Sequence, residues 1–429
     1  MTQWFPSAFS LVVSRLSPSL TRDNRHARDS SLEPFFFIRE REPVIQAVTD
    51  ICGMSDAQKT CIPPNALSTD VTHSALDFQD ERRMSRTKDE GKAWVEGKSA
   101  KVLEGFFIIT VVGAFQVAAW RGIWQVTDEY VFPEHDGVSA FFCFVVGHVA
   151  MLPAIVFAHH LQDGLGGGTS TGLFVVISRL YTAVCSVLAV WQWRGTWHLL
   201  NYYIGTSWEG FASTGGVSLV AMILLQIMVT IPCPPYGLEI DFRETYFSNA
   251  DISFFGIEWK GELHAKYVVD RIFAVFITFQ PAIVFWRAIW GLQDLFFFPE
   301  NLVHNFLASL VLGVVVTAVA FVTRTWIRRL TRERKGISRL VIEYPYVLFC
   351  AFGCISLWRG IWEMFDICLI PDDYSLSNKI TAVVGLIGMM AMYIGNTIAC
   401  RGLTRDGKGT NGHDYHRDYF EEIWRMIKT

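Results

Sequence analysis

One five-residue phrase occurs four times. In each copy an arginine directly follows a tryptophan and stands three residues before a second tryptophan. The copies are W-R-G-I-W at 120–124, W-R-G-T-W at 193–197, W-R-A-I-W at 286–290 and W-R-G-I-W at 358–362. A guanidinium group binds carboxylates and phosphates through parallel hydrogen bonds, and an indole face attracts cations. The phrase therefore predicts either ion pairs that hold helices together or a ring of arginines around an anion site.

Three of the four phrases continue into an acidic residue and a proline. Four residues after the second tryptophan stand Asp128, Asn201, Asp294 and Asp366. On a helix, an arginine and an acid seven residues later are about 10 Å apart along the axis, which is long for a direct pair. We therefore expect the partner carboxylate to come from a neighbouring copy. The candidate residues are Trp120, Arg121, Trp124, Asp128, Trp193, Arg194, Trp197, Asn201, Trp286, Arg287, Trp290, Asp294, Trp358, Arg359, Trp362 and Asp366.

Three interpretations of the phrase remain open. In the favoured one, tryptophans form a belt at the membrane interface, the small residue after arginine lets another helix approach, and proline ends the helix. In the second, the four arginines surround a pseudo-symmetry axis and line an anion site. In the third, the phrase forms a docking surface for a partner. The second copy lacks the acids and the proline, so it should break any symmetric ring.

The elements that carry these residues are membrane-length apolar segments. The 429-residue chain is 51% hydrophobic and only 18% charged, whereas soluble domains carry about 25% charged residues. A crossing needs about 20 mostly apolar residues. The sequence predicts an all-α integral membrane protein with eight transmembrane helices, arranged as four parallel helical-hairpin repeats. The predicted spans are 103–126, 138–159, 172–200, 211–231, 270–296, 303–323, 341–369 and 380–400.

Composition and loop charge divide the chain and orient it. We predict a disordered cytoplasmic N-terminal tail at 1–100, two membrane halves at 101–231 and 269–400, a cytoplasmic linker loop at 232–268, and a cytoplasmic C-terminal tail at 401–429. Lysine and arginine concentrate in the loop after the sixth span, which favours cytoplasmic termini. A lipid-facing basic loop is predicted there, and its residues are Arg324, Arg328, Arg329, Arg332, Arg334 and Lys335.

Four further charges lie near the cytoplasmic ends of the odd-numbered spans, 15 to 17 residues before each phrase arginine. They are Glu104, Arg179, Arg271 and Glu343. Two are acidic and two are basic at matched positions, so they are candidates for ion pairs between repeats, with simple interfacial placement as the alternative.

Motifs of enzymes, phosphate loops and dinucleotide sites do not occur, so we expect no catalytic residue, no metal site and no cofactor. The chain is not strongly basic, with a formal net charge of −4, so nucleic acid is not an expected partner. The expected environment is the lipid bilayer. A receptor is disfavoured because the predicted outer loops are very short.

The four W-R-[GA]-x-W phrases, on odd spans of an eight-span chain with cytosolic ends, resemble the fuseless family of multi-pass membrane proteins over residues 103–400. The resemblance implies a non-enzymatic organiser or regulator at the presynaptic plasma membrane. It would support calcium-channel localisation and synaptic transmission, with a voltage-gated calcium channel or active-zone proteins as partners. The alternative is a transporter or channel that uses the intramembrane arginines.

Overall fold

A computed structural model describes residues 101–166, 169–250, 252–399, 406, 419–420 and 422–423. The predicted N-terminal tail and most of the predicted C-terminal tail lie outside these residues. Every regular element in the described part of the chain is helical. The nine main helices are α1 (Lys101–Tyr130), α2 (Asp136–Val156), α3 (Ala158–Leu165), α4 (Thr171–Ile204), α5 (Trp208–Leu225), α6 (Ala265–Phe296), α7 (Leu302–Arg332), α8 (Ile337–Cys368) and α9 (Tyr374–Ala391).

Seven of these helices are long and apolar enough to cross a membrane, namely α1, α2, α4, α5, α6, α7 and α8. The chain is therefore a helical membrane protein. Helix α9 covers the eighth predicted span but is not among the seven. It has 18 residues, and Ser375, Asn378 and Lys379 occupy its first turns. An eighth crossing accordingly remains a prediction.

The helices that carry the phrase, α1, α4, α6 and α8, form an inner group. Each contacts the next in chain order, and α8 contacts α1 to close a ring. The outer helices α2, α5, α7 and α9 pack most extensively against the inner helix of the following hairpin, as α2 on α4, α5 on α6 and α7 on α8. The last outer helix, α9, packs on α1, so the ring has no free edge.

Close helix crossings explain the small residue that follows each arginine. A methyl group added at glycine in three copies would lie 2.1 to 2.5 Å from the backbone of an outer helix. The contacts are Gly122 with Ala382, Gly195 with Phe144, and Gly360 with Leu310. The third copy has Ala288, and there the opposing outer helix supplies Gly215, whose added Cβ would lie 2.8 Å from that of Ala288. At this crossing the glycine therefore lies on the outer helix and the alanine on the inner helix.

The connections that follow the inner helices share one backbone conformation. Phe132, Phe298 and Ile370 each precede a proline with φ of 51°, 46° and 50°. Gly205 holds the matching position in the second copy, with φ of 84°. Only glycine adopts such angles without strain. The four connections lie at the same end of the bundle, which we call the phrase end.

The predicted linker packs tightly against the opposite end. Tyr236, Ile240, Tyr246 and Phe247 are each no more than 2% exposed. The buried carboxylate of Asp241 accepts hydrogen bonds from the backbone N–H groups of 395 and 396 and from a guanidinium group of α4. Burial raises the pKa of the Asp241 carboxyl, and these donors oppose that rise. The linker is therefore a structured cap on the bundle.

The basic cluster lies largely on a helix, whereas the sequence predicted a loop from Arg324 onward. Helix α7 continues to Arg332, so Arg324, Arg328, Arg329 and Arg332 extend from it. Arg334 and Lys335 follow in the short connection to α8, and most of the cluster is exposed. Helical propensity of arginine and leucine carries α7 beyond its apolar part.

Candidate functional site

Each phrase arginine binds the acid or amide of the preceding copy. The hydrogen bonds from Nε to Oδ1 measure 2.7 to 2.8 Å in all four cases. The pairs are Arg121 with Asp366, Arg194 with Asp128, Arg287 with Asn201, and Arg359 with Asp294. The arginines are at most 3% exposed. The first copy pairs with the last, so these bonds form a closed circuit around the bundle.

A second bond ties three of these arginines to the outer helix of the preceding hairpin. Arg121 donates to Thr381 Oγ1 at 3.1 Å, and Arg194 donates to Ser139 Oγ at 3.0 Å. Arg359 donates to Ser309 Oγ. One guanidinium group therefore joins its inner helix to both helices of the neighbouring hairpin.

The third arginine lies in a different environment because the second copy has lost its acids. Arg287 is fully buried. Its Nε donates to the neutral amide oxygen of Asn201, where the other three arginines meet a carboxylate. It also donates to the carbonyl of Gly205 and lies 4.6 Å over the ring of Phe211. Its Nη1 has no hydrogen-bond partner among the described residues. This joint of the circuit is the only one of the four without an ion pair in the part of the chain described.

The eight phrase tryptophans form two four-membered rings inside the bundle. In the first ring, Trp120, Trp193, Trp286 and Trp358 contact each other in order, with adjacent centroids 5.3 to 5.5 Å apart. In the second, Trp124, Trp197, Trp290 and Trp362 do the same at 5.8 to 5.9 Å. Neighbouring ring planes are close to perpendicular in both. Edge-to-face contacts of this kind are favoured between aromatic rings.

The two tryptophan rings enclose an axial cavity of about 270 Å³. Its lining consists of the eight tryptophans with Gln125, His198, Asn201 and Cys233. The linker and the segment after α9 supply backbone carbonyls to the first ring. Trp120 Nε1 donates to the carbonyl of 398 at 2.7 Å, and Trp286 Nε1 to that of 231 at 2.8 Å. Trp358 Nε1 donates to the carbonyl of 234. These segments close the cavity at the end opposite the phrase end.

This geometry corrects two interpretations of the phrase. The tryptophans do not form a lipid-facing interfacial belt, because they contact one another around the axis and those of the first ring are at most 7% exposed. The arginines do not line the cavity, because they lie between helices in contact with the acids and the amide of neighbouring copies. Sequence spacing placed each Trp pair on one helical face, but it could not show that this face points inward.

Each of the four charges near the other end of the inner helices has a partner on its own helix, in the linker or near the chain end. Arg179 pairs with Asp241 of the linker at 2.6 Å, and Arg271 with the adjacent Asp270 at 2.6 Å. Glu343 accepts from Arg339 within α8. Glu104 accepts from the backbone N–H of 420 at 3.1 Å. The packed linker and chain end supply these partners for Arg179 and Glu104, which the repeat pattern alone could not reveal.

Several residues that line the cavity lie outside the repeated positions of the phrase. Gln125 and His198 directly follow the second tryptophan of their copies, and their position there was the available signal. Cys233 lies in the linker, where no repeated pattern marks it. No group of histidine, cysteine or acidic residues suited to a metal ion occurs within the described residues.

Comparison with known proteins gives one family match. The family model described as Fuseless matches residues 99–399. Comparisons with curated proteins and with solved structures give no match. The matched region contains all four phrases, the arginine circuit and both tryptophan rings. Because it also spans well over half of the chain, this protein belongs to the Fuseless family.

Proposed function

We propose that this protein is a non-enzymatic, eight-span membrane organiser or regulator of the presynaptic plasma membrane. It supports calcium-channel localisation and synaptic transmission, with both termini in the cytoplasm and the phrase end outside. The supporting observation is the closed circuit of arginine pairs. In three of the four pairs a buried arginine meets a carboxylate of the neighbouring hairpin, and these ion pairs hold hairpins together, which suits a rigid scaffold whose surface engages partners.

The exposed basic cluster from Arg324 to Lys335 supports membrane placement on the cytoplasmic side. Lysine and arginine next to a transmembrane helix attract anionic inner-leaflet lipids by about 1 kcal/mol each. The same surface could bind acidic segments of a calcium channel or an active-zone protein. Because this cluster lies on the surface, a partner could bind there without altering the tryptophan rings or the arginine pairs inside the bundle.

The test compares neurons that lack the protein with neurons that re-express it. We expect loss to lower calcium-channel density at release sites, as measured by surface labelling, and re-expression to restore it. Purified protein in liposomes should carry no ion flux above that of empty liposomes. Normal channel density in the deficient neurons would contradict the proposal.

A transporter or channel is the second candidate, and the axial cavity favours it. Helices α1 and α6 contain π-helical turns at Ile108–Val112 and Ala274–Thr278, each beginning 13 residues before a phrase arginine. Such turns are frequent at functional sites. Flux that is sensitive to Arg121→Ala and Arg359→Ala, and abolished by Trp286→Ala, would place this function above the organiser.

A further inference from the structure

We propose that the axial cavity binds a quaternary ammonium group, such as the trimethylammonium end of choline or of a choline lipid. The inference does not depend on the organiser function. It begins with the lining, which is eight indole rings and only four other side chains. Aromatic enclosures of this kind recognise methylated ammonium groups, because the negative ring faces attract a cation that needs no hydrogen bonds.

The dimensions suit one compact cation. Four centroids at the corners of a square with sides of 5.8 to 5.9 Å each lie about 4 Å from its centre. Tryptophans four residues apart on a helix are separated by about 6 Å along the axis. A cation midway between the rings would therefore lie about 5 Å from all eight centroids, and rings whose faces it meets attract it at distances up to ~6 Å.

The volume also favours a small ligand. The cavity holds about 270 Å³, below the ~300–1,000 Å³ typical of pockets for drug-sized molecules. Gln125, His198 and Asn201 stand one and four residues beyond the second tryptophan of their copies, so they lie toward the phrase end. Their polar groups would hydrogen-bond to a hydroxyl or phosphate attached to the ammonium. The closed end, by contrast, is lined by Cys233 and the first tryptophan ring.

Charge at the phrase end favours cations over anions. The stretches 120–139, 193–212, 286–305 and 358–379 carry eleven aspartates and glutamates against five lysines and arginines. The four arginines among them are occupied between helices and do not line the cavity. A surplus of one sign around a cleft concentrates ligands of the opposite sign.

The test uses the purified full-length chain in a maltoside detergent, which carries no choline group. Isothermal titration compares choline with 3,3-dimethylbutan-1-ol, its uncharged isostere of nearly the same shape. We expect choline to bind at least tenfold more tightly than the isostere. Equal affinities, or no choline binding, would overturn the proposal, and this comparison requires no variant to fold.

Matched tryptophan variants locate the site. Trp290→Leu should weaken choline binding at least tenfold, while Trp326→Leu, at a 60% exposed position of α7, should change it less than twofold. Trp290→Phe keeps a ring and should give an intermediate loss if the leucine variant does not fold. Similar losses for the cavity and surface variants would place binding elsewhere and overturn the proposal.

Two bilayers distinguish the source of the ammonium group. Choline titration is repeated in nanodiscs of phosphatidylcholine and of phosphatidylethanolamine, which have the same net charge. A tenfold weaker apparent choline affinity in phosphatidylcholine would identify a lipid headgroup as the occupant. Equal affinity in both bilayers would identify a free solute. Failure to bind choline in either bilayer would count against the site.

Discussion

The importance of each phrase arginine depends on the acid that faces it from the neighbouring copy. Removing one partner of a buried ion pair costs far more than the pair contributes, because a desolvated charge is left behind. Arg359 has two carboxylates nearby, from Asp294 and Glu363 at 2.7 Å each. Arg287 has none within the described residues. The four joints therefore differ in strength although their sequences are alike.

Introducing the missing acid should strengthen the weakest joint. In Asn201→Asp, the new carboxylate would face the buried guanidinium of Arg287. We expect stability to rise by about 1.5 kcal/mol, the lower end of the range for hydrogen bonds to charged groups, measured by thermal unfolding in detergent. Asn201→Leu removes the acceptor and should lower stability. Lower stability of Asn201→Asp would show that the neutral amide stabilises this contact more than a carboxylate does.

The reverse change at the first copy separates charge from hydrogen bonding. Asp128→Ala leaves Arg194 without its carboxylate and should cost about 3 kcal/mol. Asp128→Asn keeps an oxygen for the guanidinium, as Asn201 does, and should cost about half as much. Both values come from the same unfolding assay. If the two losses are equal, the retained hydrogen bond has no stabilising role.

At the scale of helices, backbone proximity at each crossing decides which residues are tolerated. Inner and outer helices approach closely enough that a single methyl group would overlap backbone atoms at three of the four crossings. The fourth crossing keeps this proximity with Gly215 and Ala288 in exchanged roles. The requirement thus belongs to the pair of helices, and either member can supply the small residue.

A glycine pair on α5 tests that crossing with its own control. Gly215→Ala should destabilise the protein by about 1–3 kcal/mol, because its Cβ would overlap that of Ala288. Gly216→Ala points to open space and should be neutral or slightly stabilising. Adding Ala288→Gly to Gly215→Ala should restore much of the loss. Equal effects at 215 and 216 would contradict the crossing.

For the molecule as a whole, the proposed eight crossings require that α9 returns the chain to the cytoplasm. An epitope inserted at 372–373 should be labelled on intact cells, whereas one after Thr429 should need permeabilised membranes. The physical reason is that α9 packs along α1 in the way that the other outer helices pack on theirs. Labelling of the C-terminal epitope on intact cells would contradict the eighth crossing.

The sequence pattern predicted which residues form pairs and close contacts, but it did not predict which way the tryptophan faces of the helices point. The seven-residue offset between Arg121 and Asp128 implied that the partner comes from another copy, and three of the four arginines do bind an acid of another copy. The glycine after arginine correctly implied a close helix contact. Trp120 and Trp124 share a face in either environment, so periodicity could not tell lipid from the axis. The cap formed around Asp241 depends on contacts across more than 150 residues, which no local pattern encodes.

The closure of the first copy onto the last has a consequence for biogenesis. Arg194 and Arg359 pair with acids that are synthesised 66 and 65 residues before them. Asp366, the partner of Arg121, is synthesised 245 residues after it. Until Asp366 is synthesised, an incomplete chain carries Arg121 without the carboxylate that neutralises it. Chains that end before α8 should therefore be retained and degraded by membrane quality control, and Arg121→Leu should prolong their lifetime in a pulse-chase measurement.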